Sequence, residues 1–133
     1  MADQSGAIID TLFGALGSGD LDTALACLGP NATVWHSFDG ISMDREAARA
    51  GWQDLVAGFP ERAFVDVRRQ AIPGGFVQQH MMAARTPAGN LIAWPVCVIV
   101  RVENGLISRI EEYIDRAGRF AVDDLRGAKT PGL

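Results

Sequence analysis

The chain is poor in the residues that carry most recognisable chemistry: one tyrosine, two cysteines and two histidines among 133 residues. Cys27 and Cys97 stand far apart, with no CxxC and no neighbouring histidine, so no zinc or thiol-redox motif is present. They read as small buried thiols in a reducing compartment, with a disulfide between them left open. No cluster of Lys or Arg forms a basic stripe; Arg68-Arg69 is the sole adjacent pair, and the formal net charge is −4. Phosphate neutralisation supplies most non-specific affinity for nucleic acid, so nucleic acid is not an expected partner, and an anionic membrane surface is disfavoured for the same reason. The longest apolar run, Ile92 to Val100, is too short to span a bilayer and contains Pro95. Met1 to Gly6 lacks the basic and apolar regions of a signal peptide, so the expected location is cytoplasmic. There is no phosphate-binding glycine loop, no GxGxxG behind a strand and no HExxH, and no serine or cysteine sits in a nucleophile motif.

What remains is a globular composition. Hydrophobic residues make up 48% and charged residues 21%, which excludes disorder and leaves enough apolar surface for one core. Residues 1–126 read as a single domain and 127–133 as a Gly- and Pro-containing tail that frays. Ala7, Ile8, Thr11, Leu12, Ala15 and Leu16 recur at helical spacing, predicting a helix over 4–17. Gly17 and Gly19 end it, and Asp20 caps a second helix over 21–28. Gly29-Pro30-Asn31 predicts a turn into a strand over 32–37, and a third helix runs from Ser42 to Gly58. Strands follow over 63–72, 76–85, 91–102 and 106–115, separated by Pro73-Gly74-Gly75, Pro87-Ala88-Gly89-Asn90 and Glu103-Asn104-Gly105. These short separators predict an antiparallel meander, and helices followed by strands predict an α+β class. An exposed apolar sheet face is unfavourable, so the sheet is expected to curl around the helices and leave a pocket between them.

Gly19-Asp20-Leu21-Asp22 with Asn31-Ala32-Thr33-Val34, the helix carrying Arg45, and Asn104-Gly105-Leu106-Ile107 with Glu112-Tyr113 resemble the nuclear transport factor 2-like superfamily. That group includes ketosteroid isomerases, limonene-epoxide hydrolases and SnoaL-like polyketide cyclases. The resemblance implies a cone-shaped half-barrel, with three N-terminal helices packed in the concave face of a strongly curved, mostly antiparallel sheet. It bears on fold more than on reaction, because sites are grafted onto folds.

Strand alternation selects the candidate polar groups. In the last strand Leu106, Ser108, Ile110, Glu112 and Ile114 share a face, and Ile107, Arg109, Glu111, Tyr113 and Asp115 share the other, mostly charged one, so Glu112 points inward with apolar neighbours and needs a partner or a proton. In the second long strand Phe76, Gln78, His80, Met82 and Ala84 share a face, but both faces mix apolar and polar groups; the resemblance favours His80 inward. It also sets His80 and Met82 near an arginine and an aspartate of the epoxide hydrolases, and Glu112 at their water-activating aspartate. A His80–Glu112 dyad is therefore one expectation. His36, at the spacing from Gly19-Asp20 of the isomerases' proton-shuttling aspartate, is the other candidate base. Imidazole suits proton transfer near neutrality.

The isomerases' oxyanion-hole positions carry Leu12 and Val98, and their supporting tyrosines are replaced by Leu28 and Trp52, which argues against steroid isomerisation by that mechanism. Catalytic candidates are thus His36, His80 and Glu112. Substrate-binding candidates are Leu12, Trp52, Met82, Trp94, Val98 and Ile110, with Phe13 and Phe59 as further wall or ordinary core. His36, His80 and Glu112 could form a two-His, one-carboxylate metal set, but the resemblance implies a metal-free and cofactor-independent protein. Residues 91–102 are apolar on both faces, which predicts a homodimer through the outer sheet face. The expected function is a SnoaL-like enzyme acting on a small hydrophobic, polyketide- or terpenoid-like molecule by general acid/base proton transfer or water activation. Its class would be isomerase, lyase, cyclase or epoxide-hydrolase-like. The rival is a non-catalytic binding or accessory domain.

Overall fold

The computed structural model describes residues 6–129. The first helix, α1 (Ala7–Ser18), buries Ile9, Leu12, Ala15 and Leu16 as one stripe and stops at Gly19, whose φ of 80° suits a glycine. Residues 4 and 5 of the expected helix lie outside the described residues. Asp20 caps α2 (Leu21–Ala26) by accepting from the Thr23 backbone N–H, and Asp44 caps α3 (Arg45–Gly58) by accepting from Ala47. The third helix therefore starts three residues later than expected. Ser42–Met43 form a short strand, β2, against Val34 and Trp35 of β1 (Leu28–His36).

The turn expected at Gly29-Pro30-Asn31 is instead part of β1. Proline has no ladder donor, and it is tolerated here because the pairing of β1 with β6 shifts between Leu28 and Thr33. The long strands β3 (Arg62–Ile72), β4 (Gly75–Arg85), β5 (Leu91–Glu103) and β6 (Leu106–Ile114) pair antiparallel in sequence order. Asn104 and Gly105, both at positive φ, make the tight β5–β6 turn. Ser108 is skipped in the pairings of β6 with both neighbours, a bulge that reverses the face of Ile107. Ile107, expected to point outward with the charged set, is fully buried in the main core.

The half-barrel expectation is overturned. Three helices accompany an open, mixed seven-stranded sheet of order β2-β1-β6-β5-β4-β3, with β7 (Phe120–Ala121) added to β5. Its path ends at β2 and β3, so the sheet is not closed and not strongly curved, and β1 runs parallel to β6. Both faces find cover without curling. The helices and the inward side chains of the sheet form the main core, while Phe120, Val122, Leu125 and Ala128 pack with Met81, Ala83 and Ala93 in a second cluster. Ala128, from the expected tail, is buried there; residues 130–133 of that tail lie outside the described residues.

Arg62, almost wholly buried, joins two helix ends: its guanidinium donates to Leu16 O near the end of α1, and to Phe59 O and Pro60 O beyond α3. A cation is favoured there, because unsatisfied carbonyls gather at helix C-termini. Cys27 and Cys97 are both free thiols. Among the described residues, no helix is long and apolar enough to cross a membrane.

Candidate functional site

Register across the sheet places the polar candidates. His36 of β1 lies beside Glu112 of β6, Glu112 beside Val98 of β5, and Val98 beside Gln78 of β4. Residues in register share a face, so His36, Glu112, Gln78 and, two residues along β4, His80 all project to the same side. His36 and Glu112 are on adjacent strands. His80 and Glu112 have all of β5 between them.

The carboxylate accordingly belongs to the other histidine. His36 Nε2 lies 3.0 Å from Glu112 Oε2, with the two side chains 17% and 20% exposed. The end of β1 is pinned in place: the Ser37 N–H donates to Glu112 O at 2.9 Å, and the Ser37 hydroxyl both accepts from Ile114 N–H and donates to Ile114 O. Phe38 stacks on the His36 ring with centroids 5.0 Å apart, and the Arg116 guanidinium lies 4.3 Å from the Phe38 centroid. A carboxylate accepting Nε2–H orients the imidazole and leaves Nδ1 as its basic nitrogen, which is the arrangement of an oriented general base.

His80 is a different group chemically. It is 1% exposed, between the rings of Phe13 (centroids 4.7 Å) and Phe64 (5.5 Å). Its Nδ1 is 3.0 Å from Gln78 Nε2, while its Nε2 has no hydrogen-bond partner among the described residues. Arg69 Nε donates to Gln78 Oε1 at 3.0 Å and Arg69 is itself paired with Asp10, so the amide presents its NH₂ to Nδ1. The imidazole proton must then sit on Nε2. Burial pushes the pKa of His80 down to about 4 against an opposing pull from the Glu112 charge, so the ring is neutral at physiological pH. The expected His80–Glu112 dyad is corrected to His36–Glu112.

Of the expected substrate-binding residues, Leu12 and Val98 are fully buried, Trp52, Trp94 and Ile110 are buried, and Met82 is half-buried against them. They pack with one another in the main core. Two open clefts lie elsewhere. One, of about 400 Å³, runs between α1 and β3, lined in part by Asp10, Phe13, Phe64 and Gln78. The other, of about 700 Å³, lies where β1 bulges away from β6, around Asn31, Arg101 and Arg109. Neither is lined by His36, His80 or Glu112. Among the described residues, no three His, Cys, Asp or Glu side chains converge as a metal ion requires. Ser37, Phe38 and Arg116 went unread in the sequence, because nothing in their spacing marks them. Gln78 was visible as a polar residue on the His80 face of β4.

A small α+β domain whose sheet brings a histidine and a carboxylate together across a parallel strand pair is the class defined by this architecture. The chain belongs to the SnoaL-like domain family, whose pattern matches residues 9–110. No curated protein matches it. Among solved structures it is similar to IdmH, a candidate polyketide cyclase from Streptomyces antibioticus. The TM-score is 0.79 at 21% identity, covering 87% of this chain and 95% of that one. A candidate polyketide cyclase from Pseudomonas putida matches with a TM-score of 0.77 at 12% identity, covering 88% and 96%. A protein with a ketosteroid isomerase-like fold from Catenulispora acidiphila, in complex with trimethylamine, matches at 0.76 and 12%, covering 85% and 88%. At these identities the likeness shows a shared fold.

Proposed function

We propose that the chain is a cofactor-independent SnoaL-like enzyme in which His36, oriented by Glu112, moves a proton on a small hydrophobic molecule or activates water beside it. The observation that carries this reading is the 3.0 Å His36–Glu112 contact, about a fifth exposed to solvent and bordered by the exposed ring of Phe38. A general base needs an orienting acceptor on one nitrogen, a free lone pair on the other and access for substrate, and this pair supports all three. The shared fold with candidate polyketide cyclases supports a cyclic or polyketide-like substrate, handled by isomerase, lyase, cyclase or epoxide-hydrolase-like chemistry.

The test is exchange of the α-protons of 2-tetralone in D₂O, together with hydration of a small terpenoid epoxide, in wild type, His36→Ala and Glu112→Gln. General-base catalysis contributes about 10²- to 10⁴-fold, so His36→Ala should lose at least about a hundredfold, with Glu112→Gln intermediate. Equal rates in all three would end the enzymatic reading. A second reading, a binding domain without chemistry, is favoured by one observation: the two open clefts are lined by residues other than the dyad. It gains if small aromatic or terpenoid molecules raise the melting temperature while no variant alters any turnover.

A further inference from the structure

The His36–Glu112 reading makes no use of His80. Buried polar groups are almost always hydrogen-bonded, and one left without a partner calls for an explanation. The Nε2–H of His80 is such a group, and the Asp10–Arg69–Gln78 chain holds its proton on that nitrogen. Three of its neighbours, Phe13, Phe64 and Gln78, also line the cleft of about 400 Å³ between α1 and β3. That volume is in the range of small-molecule sites. The cleft therefore reaches to within one layer of side chains of the His80 ring, which carries the orphaned donor.

The helix wall of the cleft is built to stay open. Gly14 and Gly17 of α1 both line it, at ordinary helical φ, so neither is required by the backbone. A Cβ on Gly14 would meet nothing within 4 Å, and one on Gly17 would meet only the Phe64 ring, at 4.0 Å. Glycine is a poor residue for a helix interior, and here its effect is room beside Phe13 and Phe64, the two rings that enclose His80. The remaining lining is mixed. Val67 is exposed, and the Arg126 guanidinium at the rim has no hydrogen-bond or carboxylate partner among the described residues.

We propose that this cleft is a binding site for a planar phenol- or enol-type molecule, whose ring lies between α1 and β3 and whose oxygen accepts the Nε2–H of His80 once Phe13 swings toward the space beside Gly14. An apolar ring suits the Phe13, Phe64 and Val67 walls, and an oxygen acceptor suits the fixed donor; the charged lining, Arg126 and Arg62 with Asp10, is of mixed sign. The site is separate from the His36–Glu112 pair and does not depend on it.

The experiment is titration of the full chain with 2-naphthol, with naphthalene as the ligand lacking the oxygen, read by calorimetry and by the imidazole ¹⁵N–¹H resonances of histidine-labelled protein. Wild type should bind 2-naphthol more tightly than naphthalene, and binding should move the His80 Nε2–H resonance. His80→Phe, which keeps a ring and removes the donor, should weaken 2-naphthol about tenfold and leave naphthalene unchanged. Gly14→Leu fills the cleft from an exposed helical position, so it keeps the fold and should abolish binding of both; His36→Ala should change neither. An unmoved His80 resonance, no 2-naphthol binding by wild type, or equal affinity in Gly14→Leu would overturn the proposal. So would loss of 2-naphthol in His36→Ala alone, an outcome that would place the ligand at the dyad and leave the proposed function standing.

Discussion

His36 and His80 project from the same face of one sheet, yet they have become different reagents. His36 ends its strand, mostly buried but reached by solvent, with a carboxylate on one nitrogen. His80 sits in mid-strand, enclosed by two phenyl rings, with an amide donor on one nitrogen and, among the described residues, no hydrogen-bond partner on the other. The first arrangement favours accepting a proton from a ligand. The second depresses basicity through desolvation and leaves a neutral N–H that can only donate. Environment rather than residue type sets the chemistry open to each ring.

The largest effect that would test this contrast is on turnover. His36→Ala should cost at least about a hundredfold in proton exchange, as expected of a general base, and added imidazole should restore part of it because solvent reaches the site. If imidazole restores nothing and Glu112→Gln is silent, the pair is structural. The next effect concerns pH and His80. Its folded pKa of about 4 lies below the 6.5 of an ordinary imidazole, so as pH falls the unfolded chain takes up the proton first. The stabilisation is complete above pH 6.5, is lost as pH falls from there to about 4, and changes no further below. About 3 kcal/mol should disappear across that window in urea melts. His80→Gln should flatten this component of the pH dependence, and a slope identical to wild type would mean that His80 is not the titrating group.

A smaller loss is expected from Gln78→Leu. It leaves the Arg69 N–H and His80 Nδ1 without their shared partner, so urea denaturation should report a loss of about 1–3 kcal/mol. Imidazole ¹⁵N shifts should at the same time show both tautomers instead of one. A single tautomer in the variant would show that Gln78 does not set the proton's position. The smallest change, Gly14→Ala, should raise stability by about 0.5–1 kcal/mol through helix propensity alone, since the added methyl meets nothing. A destabilised Gly14→Ala would mean that the cleft is less open than its geometry indicates.

Much of this was legible in the residues themselves. The four long strands and their turns follow from alternation punctuated by Gly, Pro and Asn, and their observed ends lie within a residue of those read. The inward face of Glu112 followed from the same period of two. The bulge at Ser108 was not legible, because a single extra residue reverses the faces before it without altering composition, and Ile107 was misassigned for that reason. Pro30 was read as a turn because a strand normally excludes it; the exception depends on the absence of a neighbour at that point of β1. His80 was assigned to Glu112 because the resemblance set both near positions that act together in other proteins.

Local chemistry along the chain was enough for the Asp20 helix cap, strand period and hairpin order, since each depends on neighbours within a few residues. Which imidazole met the carboxylate was decided only by the parallel docking of β1 on β6, together with the cover that let the sheet remain open. Those pairings join residues some 75 positions apart, such as Ser37 and Ile114. They are selected by the free energy of the assembled core and not by any propensity of the segments that take part.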